Sequence, residues 1–160
     1  NAVLFFDEAD ALFGKRGERP VLAGEVARAE VLLQHALRLD PHLSAAWTNL
    51  GNLRLAAGAR GEAREAYERA LALDPEQPEA RYNLANLFYA LGKTELALAE
   101  YRRVVASEPA FADAHYNLGV CLLELGATAQ ARTHLARFVE LAPDSEYADH
   151  ARCWLSAPRA

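Results

Sequence analysis

The sequence contains no methionine and no isoleucine, and valine and threonine are scarce. β-Branched side chains favour strands, so their scarcity argues against a β-rich fold. Only two cysteines occur, Cys121 and Cys153, and no metal-binding or redox spacing joins them, so we interpret both as free thiols. Because the chain starts at Asn1 and lacks methionine, we expect it to be a piece of a longer protein.

Two further absences narrow the function classes. No apolar run approaches the roughly 20 residues that cross a bilayer, and no signal-peptide pattern occurs, so we expect a cytoplasmic protein without membrane contact. The formal net charge is −5 with acids and bases interspersed, which predicts no nucleic-acid partner. The chain is 52% hydrophobic and rich in Ala, Leu, Glu and Arg, a composition that favours helices.

A repeat of 34 residues organises the chain from about residue 20 onward. Prolines mark it at Pro41, Pro75, Pro109 and Pro143. Glycines share the spacing at Gly24, Gly58, Gly92 and Gly126. Alanines do so at Ala29, Ala63, Ala97 and Ala131, and asparagines at Asn49, Asn83 and Asn117. A period of this length is typical of stacked supersecondary units, each of which needs its neighbours to bury its apolar face.

Each unit predicts two helices. In one unit, residues 44–57 carry an apolar stripe at helical spacing and stop near Gly58. Residues 61–73 carry a second stripe and stop before Pro75, because proline cannot extend a helix. Small residues, Gly51 in the first helix and Ala63 in the second, are expected where the two helix axes approach closely.

The run Trp47-x-x-Leu50-Gly51, then Ala63-x-x-x-Tyr67, then Pro75 resembles the tetratricopeptide repeat. The resemblance implies an all-α fold, a right-handed superhelix of antiparallel helix pairs (a TPR-like α-solenoid) with a C-terminal capping helix. The expected divisions are a partial unit at 20–43, full units at 44–77, 78–111 and 112–145, and a cap at 146–155. In the cap, the residues expected to face inward are Tyr147, Ala151, Trp154 and Leu155.

Three residues depart from the family pattern. Arg54 stands where an aromatic residue is usual, and Arg81 and His115 stand in the position of Trp47. We interpret them as long side chains that lie over the helix pair. The five histidines are scattered over different units without metal-ligand spacing, so surface or groove-edge positions and no metal site are expected.

The resemblance also implies that the first helices line a concave groove for extended peptides. The groove residues that it maps here are Thr48, Asn49, Asn52, Tyr82, Asn83, Asn86, Tyr89, Tyr116, Asn117 and Leu123. Asparagine carboxamides match the alternating C=O and N–H groups of an extended backbone, and tyrosines add flat contact area. The alternative is that the asparagine column bonds neighbouring backbone and has a structural role only.

The charges nearest to this groove are acidic: Glu79, Asp113 and Glu124. Family members that grip a C-terminal carboxylate use lysines and arginines, and no such cation occurs among the mapped residues. A protein or peptide ligand that is neutral or mildly basic is therefore expected. We expect no cofactor and a monomer or weak dimer.

Residues 1–18 resemble instead the Walker B segment of AAA-type ATPases, with a strand-like run ending in Asp7-Glu8. The resemblance implies that Asp7 helps to hold Mg²⁺ and that Glu8 orients the attacking water. No G-x-x-x-x-G-K-[ST] loop occurs, so we expect no enzyme activity. The apolar residues of 2–13 also fit one face of a substitute helix, and a disordered or strand-like tail is the alternative.

The leading interpretation is a protein-interaction scaffold. One alternative is a regulatory appendage of an AAA-type ATPase, and another is a structural, self-associating array. The change of pattern near residue 18 indicates a natural fusion, a rearranged gene or an engineered junction. By resemblance, bacterial proteins append such repeats to regulators or assembly factors, which is an analogy of fold only.

Overall fold

Stretches of Ala, Leu, Glu and Arg between the repeat's glycines and prolines form α-helices in the computed structural model, which describes residues 20–156 and their side chains from residue 28 on. Eight helices and no strand occur within residues 20–156. They are α1 (Pro20–Leu39), α2 (Ser44–Ala56), α3 (Arg60–Leu73), α4 (Pro78–Ala90), α5 (Thr94–Ser107), α6 (Ala112–Glu124), α7 (Thr128–Leu141) and α8 (Ala148–Ser156). The predicted all-α class of helical repeats is thereby confirmed.

The chain divides into two units, which we call unit 1 (residues up to Ala80) and unit 2 (from Arg81 onward). Unit 1 contains α1, α2 and α3, and its most deeply buried side chains belong to Ala63, Tyr67 and Ala70 of α3. Gly51 of α2 lies directly under the Tyr67 ring, because a Cβ placed on it would lie 2.5 Å from Tyr67 Cε1. The small residue expected at this helix crossing is therefore required there.

Unit 2 contains α5 to α8 and most of α4, and its core is continuous across α4, α5, α6 and α7. The buried cluster at its centre consists of Ala85, Ala97, Tyr101, Leu118, Cys121, Leu122 and Ala131. Cys121 is a free thiol within this core, and burial raises its pKa to about 12. Its low reactivity and its role as a small apolar residue follow from that environment.

Three of the repeat's glycines end first helices. Gly58, Gly92 and Gly126 have φ values of 78°, 70° and 75°, the left-handed region that favours glycine. At the end of α2, the N–H of Gly58 donates to Leu55 O at 2.9 Å and the N–H of Ala59 donates to Arg54 O at 2.9 Å. This pair of hydrogen bonds is the Schellman motif, so the glycine column fixes the turn between the two helices of each pair.

The start of α1 and the face of α8 need separate comment. Helix α1 begins at Pro20 and runs through Gly24, so that glycine lies inside a helix rather than at a turn. In α8, Ala148 and Ala151 are buried, but Trp154 is 54% exposed, so the prediction that it faces inward is wrong. Arg132 of α7 donates instead to the backbone carbonyls of Trp154 and Leu155, which fixes the helix end without burying the indole.

Candidate peptide-binding surface

A hydrogen-bonded network joins the first helices of unit 2. Asn117 of α6 donates through Nδ2 to Tyr82 Oη at 3.0 Å and to Asn86 Oδ1 at 3.1 Å, both on α4. Tyr101 of α5, which is 1% exposed, donates its hydroxyl proton to the same Asn86 Oδ1 at 2.5 Å. We call these four residues the amide network. It ties three helices together through two carboxamides.

The amide network leaves one donor group and one acceptor group unused. Among the described residues, the Asn86 Nδ2 group and the Asn117 Oδ1 atom have no hydrogen-bond partner, and no buried side-chain N or O atom lacks one. Both groups therefore reach solvent. Reversing both amides would exchange their roles and still present one donor and one acceptor, the pair that an extended backbone needs.

A second polar contact lies between the ends of α4 and α6. The Tyr89 hydroxyl donates to Glu124 Oε1, and the Thr94 hydroxyl donates to Glu124 Oε2 at 3.4 Å. Burial, followed by the Glu124 hydrogen bond, raises the pKa of the Tyr89 phenol. Glu124 is exposed, so its carboxylate is oriented by two hydroxyls while it faces water.

The remaining predicted groove residues of unit 2 differ in exposure. Tyr116 is buried between the rings of Phe138 and Tyr147, with centroid distances of 4.9 and 5.1 Å. Asn83 and Leu123 are half-buried. Asn117 is 8% exposed, so the surface that it offers to a ligand is confined to its free acceptor.

In unit 1 the predicted groove residues Thr48, Asn49 and Asn52 take different positions. Thr48 is 5% exposed, and its hydroxyl contacts Ser44 O at 3.2 Å and Gln77 Oε1 at 2.9 Å. Asn49 is exposed, whereas Asn52 accepts a hydrogen bond from the buried Tyr67 hydroxyl at 2.8 Å. Of these three side chains, Asn49 is the exposed one.

Asn52 and Asn86 belong to a recurring structural pair. Asn52 accepts from Tyr67 and Asn86 accepts from Tyr101, and each pair is separated by 15 residues. In the next repeat the same two positions hold Val120 and Leu135, so both polar partners are replaced together by apolar ones. A comparison of the repeats that follows two positions together, rather than one, could have revealed this pairing.

Double-mutant analysis of Tyr67 and Asn52 should show coupling. Tyr67→Phe is expected to lower the free energy of unfolding by about 1 kcal/mol, because Asn52 loses a donor, and Asn52→Val by more, because the buried hydroxyl loses its acceptor. The double variant should lose about 1 kcal/mol less than the sum of the two single variants in urea denaturation. The matched pair Tyr67→Phe with Asn49→Ala should be additive, since Asn49 is exposed. Equal coupling in both cycles would contradict a stabilising hydrogen bond between Tyr67 and Asn52.

A second recurring pair, separated by 19 residues, joins the two helices in the hairpins α4–α5 and α6–α7. Arg81 Nη1 lies 2.8 Å from Glu100 Oε2, with side chains only 14% and 15% exposed. At the equivalent positions of the next repeat, His115 Nδ1 lies 3.0 Å from His134 Nδ1. His115 is buried, so the expectation of surface histidines is wrong for this residue. The pairing was missed because each repeat uses different residue types.

The arginines of unit 2 lie mainly on second helices and the cap, and they are engaged there. Their partners are Gln130 for Arg102, Glu100 for Arg103, backbone carbonyls for Arg132, Glu140 for Arg137 and Asp149 for Arg152. Helix α6 carries Asp113 and Glu124 and contains no lysine or arginine. The charged groups that α6 offers are therefore acidic.

Two predicted residue groups remain to be placed. Asp7 and Glu8, the Walker B matches, and the substitute helix predicted for residues 2–13 lie outside the described residues. Within residues 20–156, no group of three or more His, Cys, Asp or Glu side chains could hold a metal ion. No helix in that part of the chain is long and apolar enough to span a membrane.

A family model described as "Tetratricopeptide repeat" matches residues 22–78, 48–109 and 82–146. The chain therefore belongs to the tetratricopeptide repeat family, and that part of the predicted resemblance is confirmed. No curated protein sequence matches the chain.

Solved structures share the fold. The crystal structure of MamA is 20% identical with a TM-score of 0.69, and the match covers 89% of this chain and 91% of that one. A tetratricopeptide repeat protein from Parabacteroides merdae is 25% identical with a TM-score of 0.73, covering 96% of this chain and 58% of its own. The first TPR of Spaghetti (RPAP3), bound to the HSP90 peptide SRMEEVD, is 23% identical with a TM-score of 0.65, covering 69% of this chain and 89% of its own.

Proposed function

We propose that the chain is a protein-interaction scaffold that holds an extended peptide along the first helices α4 and α6 of unit 2. The observation that supports it is the amide network, which fixes Asn86 and Asn117 in place and leaves one donor and one acceptor facing solvent. Groups that are already ordered lose little entropy when a ligand binds. Membership of a repeat family with a peptide-bound member supports the same class of function.

The ligand is neutral or mildly basic. The acidic Glu124 is held by two hydroxyls at the edge of the surface, and α6 contributes no cation. The HSP90 peptide in the Spaghetti complex carries two glutamates and a terminal aspartate, so its charge is the opposite of the one proposed here. Charge complementarity thus distinguishes the two ligands rather than relating them.

The experiment is an array of synthetic nonapeptides of basic, neutral and acidic composition, followed by fluorescence anisotropy with the best neutral and basic peptides. Asn86→Asp keeps the acceptor for Tyr101 and Asn117 but removes the exposed donor, so it should weaken a neutral peptide about tenfold. Glu124→Gln should weaken basic peptides selectively. Glu95→Gln, an exposed change on α5, is the matched control and should bind like the unmodified chain.

Two outcomes would contradict the proposal. Binding that is unchanged in Asn86→Asp and Glu124→Gln would place the ligand elsewhere, and tighter binding of acidic peptides would reverse the charge assignment. The absence of catalysis, the cytoplasmic location and the weak dimer stay predictions. The exposed apolar side chains Val31, Leu32 and Leu39 of α1 would carry such self-association.

A further inference from the structure

A notch lies between α2 and α3 in unit 1, and none of the predicted groove residues lines it. Its cavity volume is about 360 Å³, and its apolar lining residues are Trp47, Leu50 and Ala66. Ligand pockets typically measure about 300–1,000 Å³, so this notch lies at the small end of that range, with room for one large side chain.

Two of the residues that line the notch, Trp47 and Arg54, are held by hydrogen bonds and ion pairs. The Trp47 indole N–H donates to Pro41 O at 3.0 Å, which fixes the ring plane. Arg54 is held by Glu30 at 2.7 Å and by Glu62 at 3.1 Å. A ligand that binds here would cost these side chains little conformational entropy, because Trp47 and Arg54 are already held by the contacts just described.

The repeat explains why the notch is open in this unit. Trp47 and Ala66 occupy the positions held by Arg81 and Glu100 in one repeat and by His115 and His134 in the next. In those repeats, two long side chains meet across the hairpin. The methyl group of Ala66 does not fill the same space, so the indole of Trp47 faces an opening.

The rim indicates what fits. Two arginines and two glutamates balance one another around the opening: Arg54, Arg69, Glu62 and Glu65. Within the described residues, neither Glu65 nor Arg69 has an ion pair or side-chain hydrogen bond, although they are exposed and four residues apart on α3. A carboxylate and a guanidinium can bind the N–H and C=O groups that flank a ligand's side chain.

We infer that this notch is a second docking site, which takes one uncharged aromatic side chain from a partner protein. The flat indole wall favours an aromatic ring, and the balanced rim disfavours a net charge on the ligand. Glu65 and Arg69 hold the backbone on either side of that aromatic residue. The site is independent of the peptide surface in unit 2.

The probe is N-acetyl-L-phenylalaninamide, titrated against the full chain carrying Trp154→Phe, so that the Trp47 indole N–H gives the single indole signal in ¹H–¹⁵N NMR. A saturable shift of that signal is expected at millimolar probe. Ala66→Leu places a larger side chain in the notch and should weaken binding about tenfold. Leucine is the residue of the same repeat position in α1, at Leu32.

Thermal melting of Ala66→Leu shows whether that variant is folded. Glu65→Gln with Arg69→Gln provides a second test, since it leaves the notch open and should weaken the probe about threefold without changing the melting temperature. Glu95→Gln on α5 is the control that should bind normally. The inference is overturned if the probe causes no saturable shift, if Ala66→Leu binds as tightly as the parent, or if N-acetyl-L-leucinamide binds equally well.

Discussion

Replacing Gly119 by alanine should lower the free energy of unfolding by about 2 kcal/mol. A Cβ at this position would lie 2.8 Å from both Leu135 Cγ and Leu135 Cδ2, and 3.5 Å from the carbonyl oxygen of Ala131. Leu135 is 1% exposed and cannot swing into solvent, so α6 and α7 must move apart or the leucine must leave its rotamer. Urea denaturation measures the loss.

The same substitution at Gly61 should have the opposite sign. Gly61 lies in α3 and is exposed, and no atom lies within 4 Å of the place that an added Cβ would take. Alanine there should stabilise the chain by about 1 kcal/mol, because glycine is the poorer helix former. Equal effects at Gly61 and Gly119 would show that helix propensity, rather than the distance between α6 and α7, governs the change in stability at Gly119.

Transferring residues from a neighbouring repeat tests more directly whether the close approach of α6 and α7 causes the loss of stability in Gly119→Ala. Unit 2 contains a neighbouring set, Ala85 with Asn86 and Tyr101, in which alanine is accommodated at 0% exposure. Introducing that set as Gly119→Ala, Val120→Asn and Leu135→Tyr should recover more than half of the stability lost in the single variant. Failure to recover would mean that the spacing of α6 and α7 is set by other contacts.

Acidification should destabilise the chain through His115 and His134. His115 Nε2 lies 3.2 Å from the carbonyl oxygen of Pro109, so it carries a proton and leaves Nδ1 as an acceptor. His134 must then donate through Nδ1, an arrangement that two neutral rings satisfy. A second proton on His115 would place two N–H groups against each other.

The pKa of each ring is lowered, in both cases chiefly by burial. Arg137 lowers the pKa of His115 further, and His115 and Arg102 lower that of His134, whereas the Pro109 carbonyl raises that of His115. The unfolded chain therefore binds more protons below about pH 6.5, and the free energy of unfolding falls as the pH falls through that range. The loss should be measurable between pH 7.5 and pH 5.

The neighbouring repeat supplies the matched control. His115→Arg with His134→Glu copies the Arg81–Glu100 pair, so it should fold at pH 7.5 and lose the histidine part of the pH dependence. His150→Gln removes an exposed histidine and should leave the profile unchanged. Urea denaturation across the pH range compares the three. A double variant that is as acid-sensitive as the parent would exclude the histidine pair as the cause.

Much of the fold followed from single columns of the repeat. Gly58, Gly92 and Gly126 take a left-handed conformation at a turn, and Pro75 cannot lie inside a helix, so the ends of these helices were predictable to within one or two residues. Trp154 was mispredicted because an apolar stripe indicates a face but not whether a partner covers it. In α8 the small Ala148 and Ala151 make the contact.

The candidate site was less predictable than the fold. Spacing placed Asn83 and Asn86 on one helix face, but it could not show that Asn86 bonds a tyrosine from the following helix. Such a bond depends on the distance between two helices, and the residues at a single repeat position do not predict that distance. Pairs of columns do carry the information, as the joint change from Asn86 and Tyr101 to Val120 and Leu135 indicates.

The pairs Arg81–Glu100 and His115–His134 occupy equivalent positions but differ in residue type, and this difference affects folding. Helices with nearly the same sequence pattern could associate with the wrong partner, since their apolar stripes are interchangeable. If α4 packed on α7, Arg81 would meet His134 instead of its carboxylate, and Glu100 would lose Arg81 and keep only Arg103 of its own helix. A half-buried ion pair that loses one partner destabilises the packing that contains it. The residue types that differ between hairpins thus favour the pairing of each second helix with the first helix of its own hairpin.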